Sequence, residues 1–129
     1  VATAYVDTSC LVAVAFSEPG SEGVASVLET FDALLSSNLL EAELLATLVR
    51  EGVEEEPAFL SSIGWVLPDR PLSREIRRVL AAGRVRGADA LHLATALYVA
   101  ENPGELTFAT LDQRQREVAK ALGFAALEF

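Results

Sequence analysis

The sequence predicts an α/β domain built on a central parallel sheet of about five strands. Short, β-prone apolar runs alternate with longer helical stretches along the chain, the pattern of strands joined by crossover helices. Acids also follow the ends of several of these runs, at the edge where open parallel sheets bind their ligands. The 129 residues, 51% of them hydrophobic, suit one domain over residues 1–129 with a buried core, and they exclude a disordered chain.

Thr3–Val6 is short and apolar and reads as the first strand, with Asp7 directly after it. Ser9 is placed to cap a helix running through Phe16. Pro19-Gly20 breaks the chain, and residues 21–30 fit a second helix. Ala33–Ser36 reads as a strand, and Asn38 opens a strong helix to about Arg50. Glu54–Ser62 reads as a short helix with Pro57 disturbing its start, and Trp65–Leu67 as a strand ended by Pro68. Leu72–Ala82 reads as a helix stopped by Gly83. Asp89–Glu101 is apolar almost all round, which predicts a helix buried on more than one side. After Asn102-Pro103-Gly104 come a strand at Leu106–Leu111, a helix at Asp112–Leu122 stopped by Gly123, and a last strand at Phe124–Leu127. Trp65, Phe108 and Phe124 fall in these strands and read as core residues.

The net charge of −9 is unevenly spread. Residues 1–64 hold 11 acids and one base, Arg50, whereas residues 65–129 hold 8 acids and 9 bases, with five arginines from Arg74 to Arg86. A broad basic face for nucleic acid is therefore excluded, and any such contact is local or needs cations. The single cysteine, Cys10, allows no intrachain disulfide and reads as a small buried residue of a reduced, cytoplasmic protein. No apolar run has the length of a membrane span, and no signal peptide is visible at Val1.

Three acids stand at strand ends or helix starts: Asp7, Asp89 and Asp112. Singly, each reads as structural. Asp7 leads into a cap, Asp89 could be an N-cap after Gly87-Ala88, and Asp112 with Gln115 resembles a capping box. Together, on one rim of a parallel sheet, they need a further reason. Two carboxylates about 4 Å apart repel by roughly 4 kcal/mol at an effective dielectric near 20, whereas a cap contributes about 1 kcal/mol. A hard divalent cation with oxygen ligands relieves that repulsion. One His and one Cys do not make a zinc site.

These residues resemble a known family. Tyr5-Val6-Asp7-Thr8-Ser9 resembles the opening of PIN domains. Ser37 followed six residues later by Glu43 resembles their second signature, and Ala88-Asp89-Ala90-Leu91-His92-Leu93-Ala94-Thr95-Ala96 their third. Thr110-Leu111-Asp112, followed by a helix and Leu122-Gly123-Phe124, resembles the fourth. The resemblance, to VapC-type toxin ribonucleases in particular, implies a three-layer α/β/α fold. It implies an endoribonuclease that uses Mg²⁺ or Mn²⁺ held by Asp7, Glu43, Asp89 and Asp112. It also implies a homodimer with a small antitoxin protein as partner. In this reading the cation activates water and offsets charge on the phosphate. Ser9 and Thr110 would orient ligands beside the metal acids, and Arg84 and Arg86 would grip RNA phosphates.

Several choices stay open in the sequence. Glu41 lies two residues from Glu43, and spacing does not choose between them. His92, one turn after Asp89, is either a satisfied helix histidine or an RNA contact. The family also allows a catalytically silent binding module or an RNA-processing nuclease that is not a toxin. An aspartate-nucleophile phosphatase would carry a second Asp where Ser9 stands. A phospho-acceptor domain wants a lysine at a late strand end, and the only lysine, Lys120, falls in a predicted helix.

Overall fold

A computed structural model of the chain describes residues 2–127 and 129; the start at Val1 lies outside them. The elements run β1 (Thr3–Val6), α1 (Thr8–Ala15), α2 (Ser21–Leu28), β2 (Ala33–Ser37), α3 (Asn38–Arg50), β3 (Ile63–Val66), α4 (Ser73–Ala82), α5 (Gly87–Val99), β4 (Thr107–Ala109), α6 (Gln113–Leu122) and β5 (Ala125–Ala126). Short 3₁₀ turns lie at Ala58–Ser62 and Pro103–Glu105. The strands pair in parallel in the order β3-β2-β1-β4-β5. The chain thus builds outward from β1 through β2 to β3, then returns to the other side of β1 for β4 and β5. That reversal puts the carboxyl ends of β1 and β4 beside the crevice where such sheets bind ligands.

Period-two alternation divides the core into two layers. Tyr5 and Phe108 face α4, α5 and α6, with their rings stacked at 5.4 Å between centroids and Phe124 following at 5.9 Å. Val6 and Ala109 face the opposite way, onto Cys10, Leu11, Val24, Leu40 and Leu44 of α1, α2 and α3. The result is the three-layer α/β/α sandwich. Helix α5 is buried almost without a break from His92 to Leu97, because it packs on α4 as well as on β2. Its apolar circumference predicted this. Among the described residues, no helix is long and apolar enough to cross a membrane.

Several boundaries differ from the sequence reading, the strand read over Leu106–Leu111 being only Thr107–Ala109 and the last strand only Ala125–Ala126, and four further differences have a clear cause or consequence. The stretch from Glu54 to Ser62 is helical only over Ala58–Ser62, as a 3₁₀ turn, because Pro57 holds an extended backbone (ψ 137°) and the turn opens after it. The third strand is Ile63–Val66 rather than Trp65–Leu67. Ile63 is its buried residue, Trp65 is only partly buried, and Leu67 is 70% exposed. Helix α1 starts at once after β1, so Asp7 and not Ser9 is its cap. Helix α5 begins at Gly87, which places Asp89 inside its first turn instead of at the cap.

Candidate active site

The site starts from Asp7 at the end of β1. Its backbone N–H bonds the Ala109 carbonyl at 3.0 Å, tying it to the end of β4. Its side chain is 3% exposed. Oδ1 accepts from Ser9 Oγ at 2.7 Å and from the Cys10 N–H at 3.4 Å, and Oδ2 lies 2.9 Å from Thr110 Oγ1. Burial pushes the carboxyl up from 3.8 to about 6; the Ser9, Thr110 and Cys10 donors oppose that rise, and the Asp89 charge adds to it. Thr110 has one proton and two oxygens to face, Asp7 Oδ2 and Gln115 Oε1 at 2.7 Å, while its own oxygen accepts from the Asp112 N–H at 3.0 Å. One hydroxyl cannot donate to both. The one Thr110 hydroxyl therefore ties Asp7 to Gln115. Ser9 is drawn in at its other side by the Leu111 N–H at 2.9 Å.

Asp112, exposed, caps α6 by accepting the Gln115 N–H at 3.0 Å. The reciprocal half of a capping box is missing. The Gln115 side chain is fully buried and turns inward, to Thr110 and to the main-chain carbonyl of Asp89, which accepts from Nε2 at 3.4 Å. Glu43 sits on the second turn of α3 and is half exposed. Its Oε1 accepts from Thr8 Oγ1 at 2.9 Å and lies 3.5 Å from His92 Nε2. Glu41 instead accepts from Asn38 on the exposed side of the same helix. Of the two acids, Glu43 is therefore the one turned to the rim. His92 is 1% exposed, with Nδ1 2.8 Å from the Tyr5 hydroxyl, and burial holds it below the usual histidine range against the pull of Glu43. It is a satisfied, neutral ring with no face open to RNA.

Asp89 joins the set. It is half-buried, and its carboxyl is raised first by burial and then by the charges of Asp112 and Glu43, with Arg86 opposing. Asp7 in turn feels the charge of Asp89. All three other acids are thus coupled through Asp89. They do not stand in contact: among the described residues, no three His, Cys, Asp or Glu side chains are close enough to hold a metal ion as placed. Like charges favour that spacing. In kind, the donors fit a hard divalent cation such as Mg²⁺ or Mn²⁺, since all four are carboxylates. Cys10 is buried in the core, and the only imidazole is engaged by Tyr5 and Thr8. Beside Asp89 and Asp112 opens a cleft of about 560 Å³, lined further by Arg84, Val85, Arg86 and Arg114.

The sequence profile of the PIN domain matches residues 4–121. The chain belongs to the PIN-domain family. Its relatives include Ribonuclease VapC46 of Mycobacterium tuberculosis (strain ATCC 25618 / H37Rv), 34% identical over 98% of this chain and 98% of that protein. Ribonuclease VapC45 of Mycobacterium tuberculosis (strain CDC 1551 / Oshkosh) and Ribonuclease VapC49 of strain ATCC 25618 / H37Rv are each 32% identical over 92% of this chain and 90% of theirs. This PIN domain is of the VapC type. No solved structure matches it significantly.

Sequence reasoning gave four residues around this candidate site no part in it. Thr8 is the nearest donor to Glu43, and Tyr5 holds His92. Gln115 binds together Thr110 and the first turn of α5. Arg114 lines the cleft with Arg84 and Arg86. Tyr5 and Thr8 were legible as members of the opening motif, Gln115 as a cap partner and Arg114 as a base two residues after Asp112 at a helix start, but none of these signals showed the contact made.

Proposed function

We propose that this PIN domain is a divalent-metal-dependent endoribonuclease, the toxin of a type II toxin–antitoxin pair. The observation that carries the reading is Asp89, a half-buried carboxylate coupled to three further acids at the carboxyl edge of a parallel sheet. Asp7, Glu43, Asp89 and Asp112 would hold the ion. Mg²⁺ or Mn²⁺, when bound, supplies activation of water and charge neutralisation at the scissile phosphate. Ser9 and Thr110 fix the orientation of Asp7, and Gln115 fixes Thr110. Arg84, Arg86 and Arg114 line the cleft beside Asp89 and bind phosphates on either side of the bond to be cut.

The purified chain is expected to cleave RNA with Mn²⁺ and to stop in chelator; RNA binding without cleavage at any metal concentration would leave only a binding module. Mn²⁺ or Mg²⁺ is also expected to raise the melting temperature saturably, since a ligand of the folded state alone adds about 2.7 kcal/mol at one hundred times its Kd. Calorimetry with no binding at millimolar metal would contradict this. For the cleft, Arg84→Ala with Arg86→Ala should weaken RNA binding across sequences. It should also flatten the dependence on salt, by about 0.7 in the log–log slope for each single-strand phosphate that is no longer neutralised. An unchanged slope would remove these arginines from the RNA path.

The relatives' VapC names support a small antitoxin as partner; a homodimer as the assembly is part of the proposal. An apolar groove of about 390 Å³ between α1, α2 and the 3₁₀ turn, lined by Leu11, Val14, Leu28, Phe31 and Phe59, suits an apolar helix. An arginine carried by such a partner would pair with the coupled acids and displace the cation. Light scattering should give a dimer, and the product of an adjacent gene should co-purify. A monomer without a partner would leave the nuclease reading and remove the toxin–antitoxin one.

A further inference from the structure

We propose that Tyr5, His92 and Thr8 form a one-way chain of hydrogen-bond donors that positions Glu43 for the cation, making all three positioning residues of the site. The proposal rests on the metal-dependent reading above and assigns work to three residues that the set of four acids leaves out.

Proton counting gives the direction. Thr8 Oγ1 carries one proton and places it on Glu43 Oε1 at 2.9 Å. Toward His92 Nε2, at 3.1 Å, the same oxygen can only accept. Nε2 must therefore carry the ring proton, and its other near neighbour is again an acceptor, Glu43 Oε1 at 3.5 Å. In that tautomer Nδ1 is a lone pair, and the Tyr5 hydroxyl donates into it at 2.8 Å, with the Ser37 hydroxyl farther off at 3.4 Å. The order is Tyr5 O–H to His92 Nδ1, His92 Nε2–H to Thr8 Oγ1, and Thr8 O–H to Glu43 Oε1. Each member has its donor spent in one direction, and every contact on the carboxylate falls on Oε1.

The chain also crosses the fold. Tyr5 and His92 belong to the layer of α4, α5 and α6, whereas Thr8 on α1 and Glu43 on α3 belong to the other. The hydrogen bonds thus pass over the carboxyl end of β1 and register α3 against α5, the helix that carries Asp89. A half-exposed glutamate has several rotamers open to it. The Thr8 hydroxyl bonded to Oε1, with the His92 ring behind it, selects one of them and leaves Oε2 for a metal ion. Ligand carboxylates held in this way by neighbouring hydrogen bonds are the rule at metal centres.

The test combines nitrogen NMR with Mn²⁺ calorimetry on the full chain. His92 is the only histidine, so its spectrum needs no assignment. Metal-free wild type is expected to show the Nε2–H tautomer, with a ring proton protected from exchange that Thr8→Val exposes. Thr8→Val, close in shape but without the hydroxyl, should weaken Mn²⁺ binding by about tenfold or more. Thr8→Ser should recover most of it, and Tyr5→Phe should lose affinity in the same direction by less. Thr8 is only partly buried, so its variants test the chain even where Tyr5→Phe fails to fold. An Nδ1–H tautomer in wild type, or Thr8→Val binding Mn²⁺ as wild type does, overturns the proposal. Wild type that binds no Mn²⁺ but keeps the Nε2–H tautomer, with exchange protection lost in Thr8→Val, overturns the metal reading and supports the chain.

Discussion

Asp89→Asn is expected to abolish RNA cleavage while leaving the protein folded and, in chelator, more heat-stable than wild type. The loss of rate should reach at least about a hundredfold, the scale for removing one preorganised charged group from a reacting phosphate or carbonyl. The gain in stability follows from the sign of the shift. The Asp89 carboxyl is raised by burial and by the charges of Asp112 and Glu43. A raised carboxyl stabilises the fold where it is protonated and loses that contribution as pH rises through the folded value, so at neutral pH its charge is a cost. Asparagine keeps the shape and removes the charge. Because Asp89 is half exposed, the gain is small and is read as a melting-temperature difference in chelator. A clear loss of stability would mean that Asp89 chiefly serves the first turn of α5. Asp7→Asn should abolish cleavage in the same way.

The second expected result is a pH profile. Metal-free wild type should gain stability as pH falls from about 6 toward 3.8, the interval between the folded and the ordinary value for Asp7. Below 3.8 the contribution is complete; above 6 it is gone. At about 1.36 kcal/mol per pKa unit the full span is worth about 3 kcal/mol. Asp89 acts in the same direction. Glu75, held down to about 2 by Arg70, acts oppositely, losing its contribution as pH falls from 4.5 through 2. Asp7→Asn isolates the Asp7 share. Urea unfolding at several pH values should show a slope between pH 4 and 6 that the variant lacks. Equal slopes in the two proteins would mean that the Asp7 carboxyl titrates normally.

The strand ends were legible because the chain marks them locally. Asp7 follows an apolar run, and Asp112 stands between a run and a helix that Gly123 closes in a left-handed turn (φ 102°). The parallel sheet follows from the alternation of those runs with helices, and it puts the strand ends marked by Asp7 and Asp112 on one edge. What could not be read is carried by contacts between distant positions. Tyr5 meets His92 across 87 residues, and Thr8 meets Glu43 across 35. The choice between Glu41 and Glu43 is of this kind: both sit on α3, and only the neighbours Asn38 on one side and Thr8 on the other separate them. Gln115 was read as half of a capping box because local spacing describes the backbone it caps. Its side chain is spent instead on Thr110 and on the start of α5. The shift of α1 by two residues has a similar origin: Ser9 and Asp7 are both good caps, and the immediate exit from β1 decides for Asp7.

The claim that four acids hold a catalytic cation is tested most directly by diffraction from crystals grown with Mn²⁺, with data collected at a wavelength where manganese scatters anomalously. One or two peaks ringed by carboxylate oxygens of Asp7, Glu43, Asp89 and Asp112 are expected, with Glu43 ligating through Oε2 while Thr8 holds Oε1. Manganese bound elsewhere, or Glu43 turned away from a peak at Asp89, would contradict it.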